Sequence, residues 1–571
     1  MTALLTENLP LLAGAPNGIK KLRELILELA VRGKLVEQDG NDEPASEFLK
    51  RIAEERARLV AEGRIRRQKP LVDSSEEEKP FALPAGWVWS RLGELGLVGS
   101  SSRVHQKDWR SSGVPFYRAR EIVRLSKDGF VDNDLYISEE FFEELSSSGL
   151  VPAAGDIMIT GVGTIGIPYC VRESDRFYFK DASVLIFKNY VLGDTNYLLK
   201  YLGSPLWVTT IHEKSMGTTV HTLTIARANE TLCPVPPLAE QHRIVAKIDE
   251  LMALCDRLET QQADVASAHA QLVQALLGSL TQASDATDFA ANWQRFVVHF
   301  HILFSTEASL DALKQTILQL AFMGKLVPQN PADEPASEML IRIQVEKQRL
   351  VAEGKLKNQK SAVEIVNEEH SFDLPTGWDL ARLETIAQIG TGATPLRSNP
   401  KYFSPGTINW IASGETSQDF ISEAEHKVSP LALTETNLTV YPPHTLIIAM
   451  YGQGKTRGQI SELLISACTN QACAAIELLD KSQSHRHYVK YFFIKSYDDI
   501  RSLAAGGAQP NLNVGKIKDT VIPLPPLAEQ HRIVAKLDQL MALCDQLKTH
   551  LSQARHLNQQ LCSTLVEQAV A

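Results

Sequence analysis

The sequence lacks the cysteine patterns of a disulfide framework or a zinc ribbon, because its seven cysteines are an odd number and no two are spaced as Cys-x-x-Cys. Its first residues have neither the basic start nor the apolar core of a signal peptide, and no run approaches about 18 uninterrupted apolar residues. The best metal candidate combines Cys468, Cys473, His485 and His487, but the cysteine spacing is wide. We therefore expect a cytoplasmic chain with reduced thiols, no metal site and no membrane contact.

The chain has no excess of positive charge. Its 571 residues include 58 Lys and Arg against 68 Asp and Glu, which gives a formal net charge of −10. No global positive field indicates a nucleic-acid ligand, so any such surface must be local. With 44% hydrophobic and 22% charged residues the composition is ordinary for a globular protein, and the length of 571 residues predicts about four domains at roughly 150 residues each.

Sequence motifs for catalysis are also missing. Residues 452–456 (GQGKT) follow a predicted strand, but Ala449 stands where a phosphate-binding loop has its first glycine, and Arg457-Gly458 follows where a helix should begin. The sequence shows no methyl-donor loop, nuclease carboxylate cluster, nucleophile motif or zinc-deaminase signature. We expect a chain that catalyses nothing, with a nucleotide-binding enzyme that uses Lys455 and Thr456 as an alternative.

The sequence does contain an internal repeat. Five motifs of the first half return in the second half: GKLV at 33–36 and 324–327, DEPASE at 42–47 and 333–338, LVAEG at 59–63 and 350–354, LP-x-GW at 83–87 and 374–378, and a long motif at 234–258 and 523–547. The long motif differs at only four of its 25 positions. The stretches between, 81–233 and 372–522, are nearly equal in length yet share almost no residue run. Two similar frames therefore carry two different inserts.

The frames have the pattern of helices. Residues 19–36 and 45–59 place apolar residues at helical spacing, and each long motif begins a helix whose apolar positions alternate in steps of four and three, the seam of a coiled coil. Residues 240–278 and 529–568 are predicted to pack antiparallel as helices of about 60 Å that set the distance between the inserts. The seam positions expected to pack or to dock partners are Ile244, Ile248, Leu251, Leu258, His269, Ile533, Leu537, Leu540, Leu547 and Asn558. The predicted seam of the first helix also includes Val265 and Leu272.

Both inserts have the pattern of compact α/β domains. Apolar runs at 156–160 and 183–187 in the first insert, and at 445–450 and 472–476 in the second, predict strands bounded by Gly and Pro turns. A glycine turn follows one strand in each insert, at 161–166 and at 452–458. Polar groups in such turns can reach DNA phosphates or guanine edges. A plain tight turn without a ligand is the alternative.

A variable insert followed by the helix motif P-x-P-P-L-A-E-Q-H-R-I-V-A-K, twice in one chain, resembles the specificity (S) subunit of type I restriction-modification systems. The resemblance implies two α/β target-recognition domains separated by an antiparallel coiled coil, each domain reading one half of a split site in double-stranded DNA. It also implies two methyltransferase (M) subunits and restriction (R) subunits as partners on the helices. S-adenosylmethionine, ATP and Mg are then expected in those partners, with no cofactor in this chain.

The repeat and the resemblance divide the chain into helical regions at 1–80, 234–371 and 523–571 and recognition domains at 81–233 and 372–522. Polar side chains in turns near strand ends are the expected DNA contacts, namely Lys107, Arg110, Arg118, Arg120, Thr164 and His221 in the first domain and Thr394, Lys401, Trp410, Gln453, Lys455, Arg457, Gln509 and Asn511 in the second. A helical adaptor whose inserts bind proteins explains the seam equally well, but it gives no reason for two unlike inserts of equal size.

Overall fold

A computed structural model describes residues 9–65, 67–189, 195–213, 221–356, 373–452, 455–505 and 512–570. The chain separates into two compact units, the first formed by residues 1–265 and 554–571 and the second by residues 266–553. Each unit contains one insert, one copy of the helical frame and a part of both long helices.

The elements up to the first long helix belong to the first unit. Its helices are α1 (Leu9–Gly14), α2 (Gly18–Val31), α3 (Ala45–Ala61), α4 (Leu92–Leu95), α5 (Ala119–Asp128), α6 (Glu139–Ser148), α7 (Asn196–Leu202), α8 (Pro205–Glu213) and α9 (Ile225–Glu230). Its strands are β1 (Val88–Arg91), β2 (Gly96–Gly99), β3 (Val114–Tyr117), β4 (Tyr136–Ile137), β5 (Ile157–Thr160), β6 (Pro168–Cys170), β7 (Tyr178–Phe179), β8 (Val184–Asn189) and β9 (Leu232–Val235).

The long helices are α10 (Leu238–Thr281) and α19 (Leu527–Val570), each of 44 residues. Between them lie the helices α11 (Ala286–Leu303), α12 (Glu307–Phe322), α13 (Ala336–Ala352), α14 (Leu383–Ile386), α15 (Pro430–Glu435), α16 (Gln483–Lys495), α17 (Tyr497–Ala505) and α18 (Val514–Lys518). The strands of this part are β10 (Asp379–Arg382), β11 (Ala387–Thr391), β12 (Ile408–Ile411), β13 (Phe420–Ile421), β14 (His426–Val428), β15 (Leu446–Ala449), β16 (Ile460–Leu463), β17 (Cys468–Thr469), β18 (Cys473–Leu478) and β19 (Val521–Leu524).

Each insert contains two small sheets with matching strand orders, except that the larger sheet of the second insert has one additional strand, β13. In the first insert the larger sheet has the order β2-β8-β5-β6 and the smaller one the order β4-β3-β7. In the second insert the corresponding orders are β11-β18-β15-β16-β13 and β14-β12-β17. Strands β5, β8, β15 and β18 are almost wholly buried and confirm the four predicted strands. Two inserts that share almost no residue run therefore have one α/β fold.

The repeated motifs meet where each insert joins its frame. Strand β1 pairs antiparallel with β9, and β10 pairs with β19, so the two ends of each insert are held together. The indole of Trp87 donates to the buried carboxylate of Glu240 at 2.9 Å, and that of Trp378 donates to Glu529 at 3.1 Å. An ion pair accompanies each bond, Asp42–Arg243 at 2.6 Å and Asp333–Arg532 at 2.7 Å. The repeated residues thus form the joint between insert and frame.

Each long helix packs with its beginning near the end of the other, as expected for antiparallel helices. In the first unit, α2 and the beginning of α10 share one core cluster with the end of α19. In the second unit, α12 and the end of α10 share another cluster with the beginning of α19. The apolar residues of α2 explain its place, because Ile19, Leu22, Ile26 and Leu29 recur at helical spacing and are all buried.

The predicted seam is correct at the beginning of each long helix. Ile244, Ile248, Leu251, Ile533 and Leu537 are at most 6% exposed. The other apolar seam residues named above, Leu258, Leu540 and Leu547, are half-buried. These side chains pack into the core of the chain itself, as expected of a coiled-coil seam, and a role in docking partner subunits stays a prediction.

The predicted seam is wrong further along α10. Val265 and Leu272 are 69% and 50% exposed, whereas Val273 and Leu277 are buried. The buried face differs because α11, a helix that the periodicity did not predict, packs with α12 against this part of α10. The polar seam positions need correction too: Asn558 is exposed, and the ring of the half-buried His269 lies 3.2 Å from the carbonyl of Ile302 in α11.

Candidate nucleic-acid interface

The glycine turn of the first insert joins the antiparallel strands β5 and β6. The N–H and the carbonyl of Gly161 both bond to neighbouring backbone at 2.8 Å. The hydroxyl of Thr160 accepts a hydrogen bond from the Ile167 N–H at 2.9 Å and donates one to the Thr164 carbonyl at 2.5 Å. The side chain of Thr164 is exposed. The backbone of the turn is therefore fixed while its central side chain faces solvent.

Helix α8 supports this turn from behind. Gly166 has a φ of +81°, in the left-handed region that favours glycine. The fully buried Trp207 of α8 donates its indole N–H to the Gly166 carbonyl at 2.9 Å. A Cβ atom on Gly166 would lie 2.1 Å from Ile211 Cδ1 and 2.9 Å from Trp207 Nε1, so any larger residue would have to displace these side chains.

The glycine turn of the second insert joins β15 and β16. The hydroxyl of Tyr497 in α17 donates to the Lys455 carbonyl at 2.5 Å, and Arg501 in α17 donates to the Arg457 carbonyl at 3.1 Å. The side chain of Lys455 is exposed and that of Arg457 is half-buried. The turn continues into strand β16, whereas a phosphate-binding loop continues into a helix. The geometry therefore favours a surface turn over a nucleotide loop.

The exposed candidates of the first domain are Lys107, Arg110, Thr164 and His221. Lys107 lies in a short 3-10 helix, and its carbonyl accepts a hydrogen bond from Arg110 at 2.9 Å. The ring of His221 lies 5.4 Å from that of His212. Apart from Thr164, these side chains belong to segments outside the glycine turn.

Arg118 and Arg120 are held by acids of their own domain. Both contact Asp134, at 2.9 and 3.0 Å, and both contact the buried carboxylate of Glu121. Burial alone would raise the pKa of Glu121, but the hydrogen bonds from Arg118 and Arg120 outweigh it and lower that pKa. The two arginines thus stabilise a buried charge in the isolated chain.

The candidates of the second domain divide into four groups. Thr394 and Lys401 are exposed, as Lys455 is, and Arg457 is half-buried. Trp410 needs correction as a surface contact, because it is 4% exposed on β12 and donates its indole N–H to the Ala393 carbonyl at 3.1 Å. The remaining candidates, Gln453, Gln509 and Asn511, lie outside the described residues.

The four residues considered as metal ligands do not come together. Cys468 and Cys473 are buried thiols whose pKa values burial raises, to about 11 and about 12. His485 contacts the amide oxygen of Gln530 at 3.0 Å, and His487 lies 3.4 Å from Glu462. Among the described residues, no group of three or more His, Cys, Asp or Glu side chains has the arrangement of a metal site.

The sequence analysis missed the side chains that hold the two turns. Trp207, Tyr497 and Arg501 bind turn carbonyls from helices that follow the last strand of the larger sheet. No repeated motif marks them, because the two inserts share almost no residue run. No helix among the described residues is long and apolar enough to span a membrane.

The structure is thus a repeated helical frame that carries two α/β domains, each with a turn bonded through its backbone and with exposed polar side chains. The family model described as "Type I restriction modification DNA specificity domain" matches residues 84–266 and 375–554. The chain belongs to this family of DNA specificity subunits of type I restriction-modification systems.

Two relatives from Escherichia coli resemble the chain over nearly its whole length. The EcoAI specificity subunit is 36% identical over 97% of this chain and 94% of that protein. The EcoEI specificity subunit is 35% identical, with the same two coverages of 97% and 94%. A solved structure from work on the assembly and conformational transition of the type I R-M system is 19% identical, with a TM-score of 0.49 and coverage of 86% of this chain and 99% of that one.

Proposed function

We propose that each insert reads one half of a bipartite, asymmetric site in double-stranded DNA. The observation that carries this proposal is that two domains with matching strand orders present turns of different sequence from one repeated frame. Two unlike readers in one chain suit two unlike half-sites at a fixed spacing. The readers are residues 81–233 and 372–522, and the frame comprises residues 1–80, 234–371 and 523–571.

The DNA contacts in this proposal are exposed polar side chains. In the first domain they are Lys107, Arg110, Thr164 and His221, and in the second they are Thr394, Lys401, Lys455 and Arg457, the last being half-buried. Lys and Arg serve phosphates and guanine edges, and a threonine hydroxyl serves either. Arg118 and Arg120 join this set if DNA displaces Asp134, since they are bound to that acid in the free chain.

The chain itself is proposed to be non-catalytic and to act through partners. Its near relatives are named specificity subunits of restriction enzymes, and its sequence shows no catalytic motif. Two methyltransferase subunits and restriction subunits are the partners, and they would bind S-adenosylmethionine, ATP and Mg. The first domain has 15 Lys and Arg against 17 Asp and Glu, and the second has 13 against 14, so tight DNA binding is expected to need the charge of the partners.

The partner subunits must bind outside the chain's own core. The seam residues named for docking, such as Ile244, Ile248 and Ile533, are buried within each unit. We assign them to the support of the long helices, so their substitution would act on partner binding only through the stability of the frame.

The experiment compares Lys455→Ala with the unsubstituted chain, both assembled with methyltransferase subunits, in selection of bound sequences from a random duplex library. Preference is expected to fall at the positions of one half-site only, because Lys455 is exposed on the turn of one domain. Lys481→Ala is the matched control. Lys481 is also exposed. It follows the last residue of β18, whereas the turn lies near Cys473, the first residue of that strand. Unchanged preference, or loss at both half-sites, would contradict the proposal.

A further inference from the structure

In both recognition domains a side chain of a later helix donates a hydrogen bond to a carbonyl of the glycine turn, although the donor residues differ. In the first domain a donor in α8 reaches the turn carbonyl of Gly166, 41 residues away in sequence. In the second domain a donor in α17 reaches the turn carbonyl of Lys455, 42 residues away. Both helices come after the last strand of the larger sheet and one intervening helix. The element and the spacing are common to both domains although the side chains differ.

The contacts on the second turn are the more extensive. Tyr497 binds the Lys455 carbonyl at 2.5 Å, and Arg501 binds both the Arg457 carbonyl at 3.1 Å and the Tyr497 hydroxyl at 3.0 Å. The Arg501 guanidinium also lies 5.2 Å from the centre of the Tyr497 ring. Gly458 has a φ of +88° and lies directly against this pair. One helix therefore bonds two carbonyls of the described part of the turn, those of Lys455 and Arg457.

The contacts in both domains fall on main-chain carbonyls. A carbonyl is present whichever amino acid occupies the turn, so the anchor does not depend on the residues that face outward. Thr164 and Lys455 remain exposed while the backbone beneath them is bonded. Base discrimination depends on donors held within a few tenths of an ångström of their partners, which a free turn would not provide.

On the basis of the proposed function, we infer that Trp207 in the first domain and Tyr497 with Arg501 in the second are positioning residues for base discrimination. They touch no base themselves. They fix the turn whose exposed side chains read DNA, so each set governs the selectivity of one half-site and not that of the other.

The test uses Tyr497→Phe, which removes one hydroxyl group, in the chain assembled with methyltransferase subunits. The sequence selected by the unsubstituted complex is synthesised with every position changed singly, and relative binding is measured for each duplex. Loss of a single hydrogen bond is expected to lower discrimination about 3- to 10-fold at one half-site and to leave the other half-site unchanged. Tyr491→Phe is the control, because its hydroxyl binds Asp538 at 2.6 Å and not the turn.

Trp207→Phe is the reciprocal variant and is expected to affect the opposite half-site. Unchanged discrimination in Tyr497→Phe, or an equal loss at both half-sites, would overturn the inference. The result for Lys455→Ala distinguishes a failure of the positioning role from a failure of the proposed function. If Lys455→Ala alters one half-site and Tyr497→Phe alters neither, the positioning role fails while the proposed function stands. If neither variant alters selectivity, the turn is no reader and both fail.

Discussion

At the scale of single residues, the joint between insert and frame depends on buried glutamates. Glu240 and Glu529 are each 1% exposed, and burial raises the pKa of both carboxyl groups. The indole donors of Trp87 and Trp378 partly offset that burial. Burying a carboxylate without any hydrogen-bond donor costs several kcal/mol of folding free energy. Each hydrogen bond that is left unmade costs on the order of 1–3 kcal/mol. This requirement explains why the tryptophan and glutamate motifs occur together in both halves of the chain.

Glu462 on β16 is another buried carboxylate, with more partners than Glu240 or Glu529 has. His444 and Arg486 each contact it at 2.8 Å, and His487 contacts it at 3.4 Å. Burial alone would raise its pKa. The hydrogen bonds from His487 and His444 and the charge of Arg486 outweigh burial and lower the pKa to about 2. The cluster thus ties the sheet of the second insert to helix α16.

Replacing this carboxylate should make stability less dependent on pH. A folded-state pKa below the unfolded value of about 4.5 stabilises the protein above pH 4.5, by on the order of 3 kcal/mol, and this contribution disappears as the pH falls towards 2. We expect Glu462→Gln to destabilise the second unit at pH 7 and to differ less from the unsubstituted chain at pH 3.5. Thermal unfolding at both pH values measures this.

Glu477→Gln is the control for that comparison, since Glu477 pairs with Lys481 at the surface of the same domain. A stability difference for Glu462→Gln that is the same at pH 7 and pH 3.5 would show that the carboxylate charge has no part in it.

At the scale of elements, the local features of the sequence predict the strands and the turns but not their supports. The apolar run at 445–450 and the glycines at 452 and 458 mark β15 and its turn, because strand and turn preferences are local. The contact from Tyr497 to Lys455 spans 42 residues and has no local signature. Trp410 shows the same limit of local sequence, because a tryptophan on β12 could face either the core or the solvent.

The long helices show where heptad periodicity stops being sufficient. The seam pattern holds at Ile244 and Ile533, but at the end of α10 the packing partners are α11 and α12 as well as α19. The two additional partners, α11 and α12, move the buried face from Leu272 to Val273 and Leu277. The pattern in one helix cannot reveal how many neighbours it has.

Two leucines of α10 provide a matched test of this packing. Leu277 is 4% exposed and Leu272 is 50% exposed. We expect Leu277→Ala to cost about 2–5 kcal/mol and Leu272→Ala about 0.5 kcal/mol or less. Hydrogen exchange of peptides from α10 and α12, followed by mass spectrometry, measures the local loss of stability. Faster exchange in Leu272→Ala than in Leu277→Ala would restore the predicted seam and contradict the structure.

At the scale of the whole molecule, the repeat separates what must stay constant from what must vary. The joint residues, such as Trp87 with Glu240 and Trp378 with Glu529, are the same in both halves because they perform the same mechanical task. The inserts keep their strand orders and change their surfaces. Because β1 pairs with β9 and β10 with β19, each insert begins and ends at one place on its frame. We therefore expect that a recognition domain can be replaced without altering the frame.

Replacement of residues 81–233 by the corresponding domain of another specificity subunit tests the central claim most directly. The chimaera is assembled with methyltransferase subunits, and methylated positions are mapped by sequencing on genomic DNA. Each domain reads its own half-site in this account, so one half of the methylated sequence should change while the other half and the spacing between them stay the same. A methylated sequence that changes in both halves, or in neither, would contradict the account.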